Sequence, residues 1–267
     1  MRLKDKVIIV TGSTTGIGRA IARRCVGEGG RVVVHGLEQE LAAEALAELG
    51  ASGAVAHVED LTNPGCPERL VELAVRTYGR LDGLVNNAAL VATGNIHDTD
   101  AAAFRRMLEV NTLAPYLLIR AALPHLAATR GAVVNIGSVN AYSGEPNLLP
   151  YSVSKGALMT LTRNLGDTLH RTHGVRVNQL NPGWVLTENE SRRKKSHGLK
   201  DDWYADLPRV YAPAGRLLSP DEIAASAALW LSSELGPVSG SVVDLEQHPF
   251  IGRNPPKDPD HLPGQRA

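Results

Sequence analysis

The sequence lacks three features that would place it in other classes of protein: paired cysteines, a net charge and a long hydrophobic run. Cys25 and Cys66 form neither a CxxC pair nor a disulfide framework, so we expect free thiols in a reducing cytoplasm and no metal site. The 28 Lys and Arg residues balance the 28 Asp and Glu residues, which argues against nucleic acid or an anionic membrane as a partner. No apolar run approaches roughly 18 residues, and the charged stretch Met1 to Lys6 is unlike a signal peptide. We therefore expect a cytoplasmic protein that has no membrane span and acts on a small molecule.

Short β-branched segments alternate with longer amphipathic segments along most of the 267 residues. This alternation is typical of a parallel sheet with helices on both faces. We therefore predict an α/β fold of Rossmann type, a doubly wound, seven-stranded parallel sheet in a single domain. The domain is expected to span residues 1–246, with a substrate lid at 184–211 and a proline-rich tail at 247–267. The predicted strands are 7–10, 31–35, 54–57, 84–86, 132–136, 175–180 and 241–245.

A glycine-rich segment, Thr11 to Gly18, follows the first predicted strand and opens the first helix. Glycine lets the backbone approach a pyrophosphate closely, and the helix amino terminus presents unpaired N–H groups and partial positive charge to the phosphates. The alternative is a plain glycine-rich turn, but the strand before it and the helix after it favour a dinucleotide site. The candidate contacts are Gly12, Ser13, Thr15, Gly16, Ile17 and Gly18.

The spacing Gly-x-x-x-Gly-x-Gly resembles that of the short-chain dehydrogenase/reductase family, and further markers of the family follow in order between residues 5 and 246. Ala89 departs from the pattern, since the family usually has glycine there, and we expect its methyl group to be tolerated. The resemblance implies a classical-type, nicotinamide-dependent oxidoreductase that interconverts a secondary alcohol and a carbonyl. The further markers are Asp60, Asn86-Asn87-Ala88-Ala89, Asn111, Ser138, Tyr151-Ser152-Val153-Ser154-Lys155 and Asn181-Pro182-Gly183.

The resemblance also implies a role for each catalytic residue. Tyr151 is expected to carry the proton that accompanies hydride transfer, and Ser138 to hydrogen-bond the substrate oxygen. A free phenol titrates at about pH 10, but Lys155 lies one helical turn away on the same face, where a cation favours the phenolate. Lys155 is also expected to hold the nicotinamide ribose, and Asn111 to support a water that relays the proton. The alternative for Asn111 is an asparagine that joins its helix to a loop.

The choice between NAD and NADP depends on the end of the second predicted strand. NAD-using members usually have Asp where Gly36 stands, and many NADP-using members have Arg where Leu37 stands, so neither marker is present. Glu38 would repel a 2′-phosphate, whereas His35 could assist one, and the lack of a fixed cation favours NAD over NADP.

The remaining cofactor contacts are also implied by the resemblance. Asp60 is expected at the adenine, and Val185 and Thr187 at the nicotinamide carboxamide, although Thr187 could instead be the N-cap of a helix. The cofactor contacts predicted beyond the glycine-rich segment are Gly36, Leu37, Asp60, Leu61, Asn87, Ala88, Tyr151, Lys155, Pro182, Gly183, Val185 and Thr187.

The substrate pocket is expected between the segment 139–150 and the lid, with Asn140, Glu145, Asn147 and Trp184 as candidate contacts. These residues suit a small hydroxylated molecule such as a sugar or polyol, although polar residues are equally typical of solvated loops. The basic run 191–195 could hold an anionic substrate or form a solvated helix face. The alternative functions are a reductase of carrier-bound 3-oxoacyl groups and a non-catalytic, nicotinamide-sensing protein.

The resemblance further suggests a homodimer or homotetramer, in which the helices near Asn111 and Tyr151 pair with a second subunit. The tail segment 248–256 is expected either to lie along a neighbouring subunit or to be disordered.

Overall fold

The computed structural model describes residues 1–50, 53–142, 144–196 and 198–249. Its strands form one sheet in which all neighbours are parallel. They are β1 Val7–Val10, β2 Arg31–Gly36, β3 Ala54–Val58, β4 Gly83–Asn86, β5 Ala132–Ile136, β6 Arg176–Pro182 and β7 Val242–Leu245. The order β3-β2-β1-β4-β5-β6-β7 runs outward from β1 and β4 in opposite directions. This order confirms the predicted doubly wound, seven-stranded sheet of Rossmann type.

Helices cover the sheet, and none of those described is long and apolar enough to span a membrane. A π-helical segment, Glu109–Leu113, joins two of them, and a 3₁₀ turn, Val139–Ala141, follows β5. The helices are α1 Gly16–Gly27, α2 Gln39–Leu49, α3 Cys66–Tyr78, α4 Ala101–Leu108, α5 Ala114–Thr129, α6 Leu149–His173, α7 Glu188–Ser196 and α8 Pro220–Leu231.

The sheet has a hydrophobic core on each face, which explains why its central strands β1, β4 and β5 are mainly apolar. In β1, Ile8 and Val10 belong to the core beneath α1, α2 and α8, whereas Val7 and Ile9 belong to the core beneath α3 and α5. Both cysteines are buried and free, as the sequence predicted. The strand order changes direction between β1 and β4, so the connections that leave these two strands diverge. This leaves a crevice at their carboxyl ends, which is where open α/β sheets bind ligands.

The lid, for which the sequence suggested only a possible helix face at 191–195, contains the helix Glu188–Ser196. This helix, α7, buries none of its residues, so it has no apolar stripe from which it could be predicted. Its amino terminus is capped by Thr187, whose Oγ1 accepts a hydrogen bond of 3.0 Å from Glu190 N. The N-cap interpretation of Thr187 is therefore confirmed.

The tail prediction falls largely outside the described residues, which end at residue 249. The expected docking segment, 248–256, is outside them from residue 250 onward, and the domain boundary at residue 246 stays a prediction.

Candidate active site

The glycine-rich segment is a tight turn between β1 and α1, and two of its glycines leave no room for a side chain. Gly12 has a φ of +59°, and a Cβ on it would lie 2.8 Å from Ala88 Cα. A Cβ on Gly18 would lie 2.2 Å from Gly12 O. Asn87 Nδ2 donates to the same carbonyl at 2.9 Å, so the Asn-Asn-Ala-Ala segment after β4 fixes the turn that would carry the phosphates.

Ser13 contributes to this turn from the inside. Its Oγ donates to Val10 O at 2.6 Å and accepts from His35 N at 3.1 Å, and its N–H donates to His35 O at 2.8 Å. Both polar groups of Ser13 are therefore engaged within the protein, which does not support its predicted contact with the cofactor. Thr15 makes no capping hydrogen bond to α1, so its hydroxyl fits the predicted role better.

His35 is a structural residue of the same turn. Its ring is buried, Nδ1 accepts from Gly12 N at 3.3 Å, and Nε2 lies 2.8 Å from Glu59 O. A carbonyl can only accept, so Nε2 carries the proton and Nδ1 is the acceptor. Burial lowers the pKa of His35 to about 4, and the ring is neutral at physiological pH. His35 therefore offers neither charge nor a free nitrogen to a 2′-phosphate.

Gly36 ends β2 where the family's NAD-specific acid would stand, and the space beside it is filled. A Cβ on Gly36 would lie 2.4 Å from Cγ2 and 2.7 Å from Oγ1 of Thr14. Leu37, the next residue, is 67% exposed. Glycine stands at position 36 because Thr14, in the glycine-rich turn that would carry the phosphates, occupies the space that a side chain would need.

Asp60, the predicted adenine contact, is held in a fixed orientation after β3. Its Oδ1 accepts from Thr62 N at 2.9 Å and Thr62 Oγ1 at 2.7 Å, and its Oδ2 accepts from Arg106 Nη2 at 2.5 Å. Burial raises the pKa of Asp60, but these hydrogen bonds outweigh burial and lower it overall. Leu61 beside it is buried.

Tyr151 and Lys155 lie one turn apart on α6, as predicted, with Lys155 Nζ 5.7 Å from the centre of the Tyr151 ring. Lys155 is buried, donates to Ile136 O at 2.7 Å, and has its pKa lowered to about 8 by burial. Burial also raises the pKa of Tyr151, and this outweighs the opposing effects of its hydrogen bond with Ser138 and the charge of Arg193. The protein groups alone therefore do not produce the acidic phenol that the sequence predicted.

A chain of buried hydrogen-bonding side chains crosses the sheet beneath Ser138. Thr162 Oγ1 accepts from Asn135 Nδ2 at 2.8 Å and donates to Gln179 Oε1 at 2.9 Å. Asn181 Oδ1 accepts from Gln179 Nε2 at 2.7 Å and also from Ser138 N at 3.2 Å. This buried amide chain consists of Asn86, Asn135, Thr162, Gln179 and Asn181, and at its end Asn181 Nδ2 donates to the exposed Asp244.

The buried amide chain holds the backbone of Ser138, and sequence reasoning missed it. Its signal was present, because Asn135, Gln179 and Asn181 are amides in buried strands, where polar groups must find partners.

Asn111 lies in the π-helical segment, a feature that often marks functional sites. Its side chain is fully buried and bridges two elements. Oδ1 accepts from Leu90 N at 2.8 Å, while Nδ2 donates to Leu90 O and Ser154 Oγ, each at 2.9 Å. The alternative interpretation, in which Asn111 joins its helix to a loop, agrees with these contacts, and its support of a relay water stays a prediction.

Residues predicted to be catalytic and residues predicted to contact the nicotinamide line one cavity of about 540 Å³. Glu246, which the sequence analysis did not select, reaches into it from the end of β7. Its Oε2 accepts from Trp184 N at 3.1 Å and lies where a Cβ on Gly183 would be. The predicted residues that line this cavity are Ile17, Asn87, Ser138, Asn140, Glu145, Tyr151, Lys155, Pro182, Gly183, Trp184, Val185 and Thr187.

Asn147 is the predicted substrate contact that does not line this cavity. Its main-chain oxygen accepts from Gly94 N at 2.8 Å, and its Oδ1 accepts from Asn95 Nδ2 at 3.3 Å. It therefore fixes a neighbouring loop. It also lines a second cavity together with Asn140 and Glu145, so its contact with substrate stays a prediction.

One group of metal-ligand type occurs in the described part of the chain. His57, Glu59 and Cys66 place ligand atoms within 4.8 Å of one another. The carboxylate of Glu59 is bound by Arg69 through Nε at 3.0 Å and Nη2 at 2.5 Å. These contacts, chiefly the hydrogen bonds from Arg69, lower the pKa of Glu59 to about 2. The carboxylate of Glu59 is thus explained by its ion pair with Arg69, next to Asp60 in the sequence.

Comparison with known proteins agrees with this geometry. A family profile described as "short chain dehydrogenase" matches residues 6–198. The chain is 36% identical over 248 residues to 2-(S)-hydroxypropyl-CoM dehydrogenase 3 of Xanthobacter autotrophicus, covering 92% of this chain and 96% of that protein. It is 37% identical over 243 residues to L-fucose dehydrogenase of Mus musculus, covering 87% and 84%. It is 36% identical over 248 residues to Dehydrogenase/reductase SDR family member 4 of Sus scrofa, covering 90% and 86%.

Proposed function

This chain belongs to the short-chain dehydrogenase family and is an NAD(P)-dependent oxidoreductase acting on CH–OH donors, and we propose that it interconverts a small polar secondary alcohol and its ketone with Tyr151 as acid/base. The observation that carries the proposal is the cavity in which Ser138, Tyr151 and Lys155 lie together with the Pro182 to Thr187 segment.

The chemistry of these side chains supports the proposed roles. An oxidised nicotinamide, when bound, supplies the hydride acceptor and a positive charge. Tyr151 accepts the hydroxyl proton as the carbinol hydrogen leaves, and Ser138 donates a hydrogen bond to the same oxygen. Lys155, with a pKa of about 8, is mostly cationic at neutral pH and can hold ribose hydroxyls. Because burial raises the pKa of Tyr151, charges brought close to the phenol are needed to favour its deprotonation.

A small hydroxylated substrate, such as a sugar or polyol, is supported by two observations. Polar or amphipathic side chains of Asn140, Glu145 and Trp184 line the cavity around Tyr151. Among the relatives, one is named for L-fucose and another for a hydroxypropyl compound, and both names describe small molecules with hydroxyl groups.

We propose NAD as the preferred cofactor. The ring of His35 is neutral and bonded within the protein, so it cannot assist a 2′-phosphate. Glu38, exposed at the amino end of α2, disfavours a phosphate beside it.

We also propose a homodimer or homotetramer. Leu113, Tyr116 and Val153 lie near Asn111 and Tyr151 in sequence and are 48%, 39% and 41% exposed. Such exposed apolar side chains on neighbouring helices favour a subunit contact. Light scattering after gel filtration measures the assembly directly, and a monomer would contradict this proposal.

The substitution Tyr151→Phe tests the proposed mechanism, because it removes the proton carrier and keeps the ring. Turnover should fall more than about a hundredfold, while cofactor affinity should change less than about twofold. Tyr78→Phe is a matched control, since the hydroxyl of Tyr78 is buried without a hydrogen-bond partner among the described residues and lies outside the cavity. Turnover retained in Tyr151→Phe at the level of the control would refute the role of Tyr151.

A further inference from the structure

The four basic residues of the lid at 192–195 do not share one environment. Arg193 and Lys194 line the cavity that contains Ser138 and Tyr151, and their side chains are only 30% and 23% exposed. Arg192 and Lys195 are exposed and do not line it. Two cations of the run therefore belong to the pocket and two to the surface.

The pocket-facing cations share one carboxylate. Glu190 Oε2 accepts from Arg193 Nε at 3.0 Å and Nη2 at 2.7 Å, whereas Glu190 Oε1 accepts from Trp184 Nε1 at 2.9 Å. Lys194 Nζ lies 3.9 Å from Oε1, beyond hydrogen-bond distance. The group of Glu190, Arg193 and Lys194 thus carries one positive charge more than negative.

Lys194 is the cation left with unused donors. Its Nζ lies 4.9 Å from the centre of the Trp184 ring and 5.6 Å from that of Trp203, and these two rings stack at 5.3 Å. The aromatic faces hold the ammonium in place, but they do not accept hydrogen bonds as an oxygen does. Among the described residues, no acceptor lies within hydrogen-bond distance of Nζ, so its three N–H groups are available to a ligand.

The acids of the same cavity do not neutralise this charge where it lies. Glu246 accepts from Trp184 N at 3.1 Å and from Gln247 N at 2.7 Å, which directs its carboxylate toward the backbone beside Gly183. Glu145 is exposed on the opposite loop. At Tyr151 the charges of the cavity oppose one another, since Arg193 lowers the pKa of the phenol whereas Glu145 and Glu190 raise it.

We propose that Arg193 and Lys194 bind an anionic substituent of the substrate, such as a carboxylate, sulfonate or phosphate, while its carbinol lies at Tyr151. The substrate is then a small hydroxy compound with an acidic group at the lid end of the molecule. This inference rests on the proposed function for the position of the carbinol. Charge-assisted hydrogen bonds to an anion are among the strongest contacts that a protein side chain makes with a ligand.

The test compares pairs of secondary alcohols that differ only in the terminal group, anionic in one and a neutral amide or ester in the other. Carboxylate, sulfonate and phosphate pairs show which anion is preferred. The measured quantity is the ratio of kcat/KM for the anionic alcohol to that for its neutral partner, with NAD and across pH. We expect a ratio above about 10 in the wild-type protein, falling roughly tenfold or more in Arg193→Gln and in Lys194→Gln. Arg192→Gln and Lys195→Gln, the matched controls from the same helix, should keep the wild-type ratio.

A second measurement does not depend on turnover. Because Trp184 and Trp203 flank Lys194, a hydroxyalkyl sulfonate or carboxylate bound there should change tryptophan emission in the presence of NAD, and Lys194→Gln should weaken that binding. A wild-type ratio near one, or a ratio lowered equally by Arg192→Gln, overturns the proposal, as does emission unchanged by every anion. Anion binding without reduction of NAD by any alcohol would instead contradict the proposed function and leave the anion site standing.

Discussion

The contact between Gly36 and Thr14 predicts that the family's usual NAD-specific acid cannot be introduced here by one substitution. In Gly36→Asp, the new Cβ would lie 2.4 Å from Thr14 Cγ2, whereas ordinary contacts begin at 3.4 Å. Overpacking of this kind costs about 1–3 kcal/mol, and each kcal/mol lowers the melting temperature of a domain of this size by about 2–4 °C. We therefore expect Gly36→Asp to lower the melting temperature by about 2–12 °C and to weaken NAD and NADP alike, because Thr14 belongs to the phosphate turn.

The double variant Thr14→Ala/Gly36→Asp should reverse both effects. It removes Cγ2 and Oγ1, and the remaining contact, 3.1 Å to the Cβ of residue 14, requires a shift of only a few tenths of an ångström. The new carboxylate can then accept from a 2′-hydroxyl and repel a 2′-phosphate, so the preference for NAD should rise roughly tenfold or more. Leu37→Asp is the control, since it adds the same charge at an exposed position without a clash.

Thermal unfolding and fluorescence titration with both cofactors measure these effects. A Gly36→Asp protein with wild-type melting temperature and NAD affinity would show that Thr14 does not block the position. A double variant without a raised preference for NAD would show that the carboxylate does not reach the ribose.

Two further predictions concern the interior. Gln179→Leu removes two buried hydrogen bonds of the amide chain, so the free energy of unfolding should fall by about 1–3 kcal/mol. The value of kcat should also fall, because Ser138 loses support. The control Gln39→Leu, at an exposed position, should change the free energy of unfolding by less than about 0.5 kcal/mol. An unchanged free energy of unfolding in Gln179→Leu would contradict the contribution of the buried amide chain to stability. Burial lowers the pKa of Lys155 in the folded protein from 10.5 to about 8. Between these two pH values the unfolded chain binds more protons than the folded protein, so the contribution of Lys155 to the free energy of unfolding rises with pH. In urea unfolding, Lys155→Met should therefore be more stable than wild type at pH 7 by up to on the order of 3 kcal/mol, with a smaller difference at pH 9.5; a difference independent of pH would refute the lowered pKa.

The bounds of the sheet strands could be predicted to within one or two residues, because most strands are short, mainly apolar runs bounded by polar turns, although β6 carries four polar residues. The lid helix α7 could not, since it is polar on every side and its Thr187 cap has the same residue type as a cofactor contact. The side chains proposed as catalytic were selected by their spacing, whereas the raised pKa of Tyr151 depends on burial that spacing does not encode. The contacts of Asn147 could not be predicted, because a polar loop residue can face either a pocket or a neighbouring loop.

The buried amide chain has a consequence for when the protein becomes active during synthesis. Asn181 accepts from Ser138 N and donates to Asp244 Oδ1 at 3.0 Å, so Ser138 is connected through one side chain to β7. A ribosome releases β7 after every other strand of the sheet. A nascent chain that ends before Asp244 can hold Tyr151 and Lys155 on one helix, yet it leaves Asn181 without its last partner. A chain truncated before β7 would therefore carry Tyr151 and Lys155 without the complete set of hydrogen bonds that supports Ser138.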